Sequence, residues 1–176
     1  MKNQNRQERV DDHDSRDARM WRSGLCVVSR RALDAYAVRS VRSQDAKAIA
    51  ALAHLAFLGG PDEASEENIS RKVSAILAGS YGRFIAAASF GHESPAGELD
   101  AAILVTDYAP YGGPVIALVV VGKTVQQRGI GTTLVANSLA VLQQLGKADC
   151  CARITDGNLC SERLFQVCGF TPSASG

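Results

Sequence analysis

The sequence contains no Cys-x-x-Cys pair, and its three histidines, His13, His54 and His92, lie far apart, so no zinc-ligand spacing can be read and a metal-free protein is expected. Its five cysteines, Cys26, Cys150, Cys151, Cys160 and Cys168, are odd in number and two are adjacent. That pattern excludes a secreted disulfide framework and predicts a reducing, cytoplasmic setting. Charge of one sign is also missing: 19 basic and 18 acidic residues leave a formal net charge of +1. No field then draws nucleic acid or a membrane surface, and small molecules are the expected partners. The longest apolar run, VIALVVV at 115–121, falls far short of the roughly 20 residues of a spanning helix; being β-branched, it reads as a buried strand. The N-terminus has no apolar stretch, and its aspartates argue against a transit peptide.

What is present suits one domain: 176 residues and 18.6 kDa, 46% of them apolar. Residues 1 to about 22 are polar and nearly free of aliphatic side chains, so a flexible extension is expected over 1–34, with a short strand over GLCVVS (24–29) and with Trp21 packing locally on the domain. The domain proper then occupies 35–176. AYAVRSV (35–41) alternates like a strand, and DAKAIAALAHLAF (45–57) carries helical spacing. Ser65 predicts the cap of a second helix, with Glu66 and Glu67 at the positive end of its dipole. RFIAAASF (83–90) and LDAAILVTDY (99–108), joined by GHESPAGE, read as an antiparallel hairpin. Strand 115–121, a glycine-bearing turn, a helix over 130–145, strand CCARIT and a final helix in NLCSERLFQVCGF complete the chain.

The chemistry concentrates in Q126-Q-R-G-I-G-T132, placed between a buried strand and a helix. Free amides at a helix start attract anions, and glycines let phosphate oxygens reach the main chain. Arg128 adds a charge-assisted contact. A Walker A loop needs Gly-Lys-Ser/Thr after its second glycine, whereas Thr132 and Thr133 follow Gly131. A dinucleotide fingerprint needs a small residue where Leu134 stands.

The pattern Gln126-x-x-Gly129-x-Gly131, with Val121 five residues before it, resembles the pyrophosphate loop of the GNAT superfamily of acyl-CoA-dependent N-acetyltransferases. The helix N158-L-C-S-E-R-L164-F165-Q-V-C-G169-F170 resembles that family's later helix, and VRSVRSQDAKAI, with Asp45, resembles its first strand and helix. The resemblance runs from about residue 36 to 170. It implies an α/β (α+β) fold with a mixed, mostly antiparallel sheet flanked by helices. It also implies acetyl-CoA as acyl donor and a primary amine, on a small molecule or peptide, that attacks the thioester directly. Backbone groups of Val119 and Val121 would hold pantetheine in a gap between two splayed strands. Gln126, Gln127, Arg128, Gly129, Ile130, Gly131 and Thr132 would hold the pyrophosphate, while Asn158 and Phe165 would meet the pantetheine arm. A backbone N–H near Val119 would stabilise the oxyanion.

Two departures qualify what the resemblance implies. The tyrosine that commonly protonates the leaving thiolate is replaced by Phe165, leaving Ser161, Cys160, Tyr108 or Tyr111 as donors and Asp107 as the base candidate. The family also continues after its Gly-Phe with two strands that cover the fifth strand, whereas this chain closes on TPSASG, so those last two strands are expected to be lacking. CCARIT then becomes an exposed edge that favours a homodimer, or GLCVVS fills in, or activity is impaired. An acetyltransferase is the leading expectation. A catalytically impaired acyl-CoA-binding or regulatory module is the alternative. The loops carrying Asp62, Glu63, Glu93 and Asp107 hint at a cationic amine.

Overall fold

The computed structural model of the chain describes residues 17–25 and 38–173. One mixed sheet organises it, in the order β2-β4-β5-β6-β7-β1-β8, with a short β3 beside β5. Its strands are β1 (Ala18–Gly24), β2 (Val38–Ser40), β3 (Arg83–Phe84), β4 (Phe90–Glu93), β5 (Leu99–Tyr108), β6 (Gly113–Val121), β7 (Asp149–Thr155) and β8 (Thr171–Pro172). The helices are α1 (Ala46–Phe57), α2 (Glu66–Leu77), α3 (Ile130–Gln144) and α4 (Leu159–Val167). All pairings are antiparallel except β6 with β7. The mostly antiparallel sheet flanked by helices matches the expected fold class.

Strand alternation sorts the core onto two faces. Ala101, Ile103 and Val105 of β5 join Leu134, Leu142 and Phe165 under α3 and α4, while Ala102 and Leu104 join Ile49, Val73 and Ile76 under α1 and α2. Ser65 caps α2 by accepting from the Asn68 amide at 3.3 Å, as its sequence position predicts. RFIAAASF is not one strand. Its alanines, poor strand formers, wind into a 3-10 turn at Ala86–Ala88. The buried Ser89 hydroxyl mends the break, donating to Ile85 O at 2.9 Å and accepting from Val105 N at 3.0 Å.

The N-terminal segment departs most from expectation. Residues 18–22, read from sequence as tail, form most of β1, which pairs with β7 along its whole length. Trp21, Ser23 and Leu25 alternate inward, and Trp21 is 4% exposed among the residues packed with Phe165 and Phe170. Period-two burial anchored by one large aromatic outweighs the polar composition. Of the strand expected at 24–29, only Gly24 and Leu25 are described. CCARIT is therefore no edge, and the edge-pairing argument for a dimer loses its basis. Thr171–Pro172, expected to form no strand, pairs with Trp21 and Arg22, and Ser173 N donates to Met20 O at 2.8 Å.

Asp45 fastens α1 to β2. Its carboxylate accepts from Arg39 at 2.7 and 3.0 Å and from Arg42 N at 2.7 Å. The Arg39 guanidinium, the largest influence, holds the Asp45 carboxyl below its usual range. Because the folded value is depressed, this stabilisation is present above about pH 4 and is lost as pH falls through the folded value. We expect Asp45→Asn to lower stability near neutrality by about 1 to 3 kcal/mol and the deficit to shrink in acid, read from urea midpoints across a pH series. Trp21→Ala is expected to cost about 3 to 5 kcal/mol in the same assay; a midpoint unchanged from wild type would show that β1 does not seal the sheet.

Candidate functional site

The site begins with one unpaired residue. Leu104 of β5 faces Leu118, and Val105 faces Ile116, so Ala117 of β6 has no partner and forms a bulge. Bulges bend the strand that carries them. On the other side of β6 the parallel pairing with β7 includes only Val115 with Cys151 and Ile116 with Ala152, ending at the residue before the bulge. Beyond that point β6 and β7 run apart, leaving a gap flanked by residues 117–121 and 153–155.

Main-chain direction shows which groups face the gap. Gly122 N donates to Asp100 O of β5 at 2.8 Å, so the carbonyl of Val121 points to the opposite edge. There it accepts from Gln126 Nε2 at 3.1 Å. Alternation along the strand sends the N–H and C=O of Val119 to the same edge. A ligand carrying amides could pair with Val119 and Val121 as an added strand would.

The turn that follows opens directly onto α3. Gln127, with φ of +61°, is the one non-glycine residue of positive φ among those described, and Gly129 at the α3 N-cap has φ of +82°. Such a conformation costs a side-chain-bearing residue about 1 to 2 kcal/mol. Asn158 caps α4 and Ser65 caps α2, whereas α3 has no side-chain cap. The amides of Ile130, Gly131 and Thr132 thus have no acceptor within their helix and sit at the positive end of its dipole. Gln126 through Gly129 are exposed, so an anion can reach them. A Cβ on Gly131 would lie 3.4 Å from the side chains of both Leu164 and Val121, so a side chain longer than a methyl would have to displace them. Strand edge and uncapped turn together suit a ligand with an amide-bearing arm and a diphosphate.

Asn158 stands across the gap. Its Oδ1 accepts from Ser161 N at 3.0 Å, and its Nδ2 donates to Asp62 Oδ2 at 2.6 Å. Asp62 Oδ1 accepts from the Thr155 hydroxyl at 2.6 Å. Asp62 belongs to the α1–α2 loop, which is itself stitched down: Gly59 N donates to Glu63 at 3.0 Å, Lys123 Nζ donates to Leu58 O at 3.0 Å, and the His54 ring lies 3.2 Å from Ala64 O. Sequence reasoning placed Asp62 in a pocket loop among four acidic residues that hint at a cationic amine, without distinguishing it from the other three. The partners lie 93 and 96 residues away, so no local pattern could announce the contact.

The other named residues fall elsewhere. Phe165 is 3% exposed and packs edge-on to Phe170, with centroids 4.9 Å apart, while Leu164 lies beside Val121 and Gly131. Asp107 faces Pro114, beyond the closed end of the gap. Its carboxylate binds Lys147 at 2.8 Å and Arg83 at 3.0 Å, and the Lys147 ammonium leads in holding its carboxyl below the usual range, which weakens it as a base. Tyr108 and Tyr111 stack edge to face at 5.0 Å near the same closed end. Ser161 sits in the first turn of α4, beside Asn158. Cys150 and Cys151 are buried core thiols, Cys168 is half-buried with its thiol pushed up to about 11 by burial, and Cys160 is exposed. Among the described residues no helix is long and apolar enough to cross a membrane.

Neither a protein-family model nor a curated protein matches the sequence. Solved structures do match the fold. A GCN5-related N-acetyltransferase from Sphaerobacter thermophilus aligns over 90% of this chain and 49% of its own, at 17% identity and a TM-score of 0.63. A GNAT-family acetyltransferase from Colwellia psychrerythraea aligns over 90% and 53%, at 13% identity and 0.66. A GNAT-family acetyltransferase from Brucella melitensis, solved in complex with acetyl-CoA, aligns over 79% and 87%, at 25% identity and 0.57. The chain spans about half the length of the first two. Its bulged strand, splayed neighbour and glycine turn sit in a sheet that these acetyltransferases share: the chain has the GNAT fold.

Proposed function

We propose that the chain is an N-acetyltransferase, its catalytic domain the expected 35–176 completed by β1, moving acetyl from acetyl-CoA to a primary amine in a reducing cytoplasm. The observation that carries this reading is the continuity of the unpaired β6 edge with the uncapped start of α3. Val119 and Val121 offer main-chain partners to the pantetheine amides. The amides of Ile130, Gly131 and Thr132, with Gln126, Gln127, Gly129 and the Arg128 guanidinium around them, offer donors to the pyrophosphate.

Acetyl-CoA, when bound, supplies an acetyl carbon activated as a thioester. The chain contributes placement and polarisation. Val119 N–H, aimed into the gap, donates to the acetyl oxygen as negative charge gathers there, an effect largest in a water-poor slot. The half-buried valines of β6 and Leu164 exclude water from one wall. On this reading Ser161, in the first turn of α4 beside Asn158, passes a proton to the departing sulfur, directly or through water.

A second reading is an acyl-CoA-binding or regulatory module, and the burial of Phe165 favours it, since the position where the resemblance implies a proton-donating tyrosine faces the core. Both readings require the cofactor site, and turnover separates them. In calorimetric titration with acetyl-CoA we expect saturable binding by the wild type, weakened at least about 100-fold in a Gly129→Asp/Gly131→Asp variant whose carboxylates oppose the pyrophosphate. A thiol-release assay over a panel of amines is then expected to show acetyl-CoA-dependent turnover. Binding without turnover on any amine would favour the module, and a folded wild type that binds no acetyl-CoA would overturn both.

A further inference from the structure

Among the described residues, Asp62 in the loop beside the gap forms no ion pair. Asp45, Glu67, Glu93, Asp107 and Asp149 each meet an arginine or lysine, and Asp100 meets His92. Asp62 accepts from the Thr155 hydroxyl and the Asn158 amide, both neutral, both at 2.6 Å. It is half-buried. Two short bonds fix the carboxylate in orientation and leave its full negative charge, and a carboxylate oxygen accepts more than one hydrogen bond. A partly desolvated charge held by neutral donors gains most from a cation brought to it.

Its level along the strands identifies what that cation is. Pairing of β6 with β7 ends at Ile116 and Ala152. Val119 lies three residues beyond on β6, and Thr155 three residues beyond on β7, so the two flank the gap at one height. Cys150, Ala152 and Ile154 pack under α3, which turns Thr155 to the face covered by α1 and α2. Asp62 therefore sits on the α1–α2 side of the slot, opposite Val119. Of the other acidic groups in these loops, Glu93 pairs with Arg39 and Asp107 with Lys147 and Arg83, while Glu63 and Glu98 are exposed to solvent, unlike the half-buried Asp62.

We infer that Asp62 docks the ammonium group of the acceptor, which releases one proton to solvent water before its nitrogen attacks the thioester, making Asp62 a specificity-determining residue that selects amines protonated at neutral pH. The inference rests on the acetyl-transfer reading and names its substrate class. Thr155 and Asn158 hold the carboxylate in place, and the stitched 58–65 loop presents it without a large rearrangement. Recognition by charge predicts a preference that shape alone does not: a cationic primary amine is favoured over an uncharged one of similar size.

The test compares benzylamine, protonated near neutrality, with aniline, uncharged there, on wild type, Asp62→Asn and Thr155→Val. Initial rates would be combined with calorimetric titration of each amine into protein loaded with CoA, a dead-end complex that needs no turnover. For Asp62→Asn we expect KM and Kd for benzylamine to rise at least about tenfold, the scale of one charge-assisted contact, with aniline constants and acetyl-CoA affinity unchanged. Thr155→Val, which keeps the carboxylate, should retain the preference for benzylamine. Equal losses for both amines in Asp62→Asn, or loss of the preference in Thr155→Val, would assign Asp62 to fastening the loop and overturn the inference. Wild type that binds acetyl-CoA and acetylates aniline as readily as benzylamine sinks the docking role alone. Wild type that neither binds acetyl-CoA nor releases thiol removes the acetyl-transfer reading and the docking role with it.

Discussion

Ala117 is the residue on which the geometry turns. Were β6 regular, its edge would continue to pair with β7 and the main-chain groups of Val119 and Val121 would be consumed by the sheet. One unpaired residue bends β6 at the point where β7 leaves it. A strand edge in a buried sheet is otherwise an unmet demand for hydrogen bonds. The fold tolerates it because the exposed groups number only a few, and because Gln126 folds back to answer one of them at Val121 O. The same bend aims β6 at the glycine turn, so the two halves of the candidate donor site share one cause.

A sheet opened in its middle must be closed at its margins. β7 has only two pairs with β6 and would be weakly held if its other side were bare. β1 removes that weakness by pairing with all seven residues of β7, and Trp21 ties it into the cluster that contains Phe165 and Phe170. Arg22 extends the connection, donating to Tyr111 O at 2.6 Å at the loop before β6. The strand from the beginning of the chain thus steadies the element that forms one wall of the gap. It also explains why Phe165 is core: a phenyl ring with Trp21 on β1 and Phe170 as neighbours is placed for packing, whatever polar group the resemblance implies at that position.

How legible this was depends on the range of each interaction. The glycine turn, the α3 helix and the cap of α2 were readable because each is set by residues within one turn of one another: Gln126, Gly129, Gly131, and Ser65 with Asn68. Their job is to present main-chain groups, and main-chain presentation leaves its mark as glycine and capping residues in order. β1 was misread because its signal is a single tryptophan amid arginines, and composition weighs that segment as solvent-loving while the burial of Trp21, Ser23 and Leu25 decides otherwise. The break at Ala86–Ala88 was missed because three alanines look apolar to a strand pattern, and only the Ser89 hydroxyl reveals how the ladder survives it.

The acceptor side follows the opposite logic. Asp62, Thr155 and Asn158 come from a loop, a strand end and a helix cap, joined only when the chain has closed on itself. Four acidic residues in the loops looked alike in sequence, and only tertiary contacts separate Glu93 and Asp107, committed to cations, and the exposed Glu63 from Asp62, half-buried in a neutral cradle. Charge composition could suggest a cationic partner but could not say which carboxylate meets it, because a side chain committed to Lys147 or Arg39 is electrostatically spent before any substrate arrives. On the proposed reading, donor binding rests on the backbone while selectivity for the acceptor is left to side chains from distant segments, and these can change without disturbing the turn, the bulge or the sheet that holds the gap open.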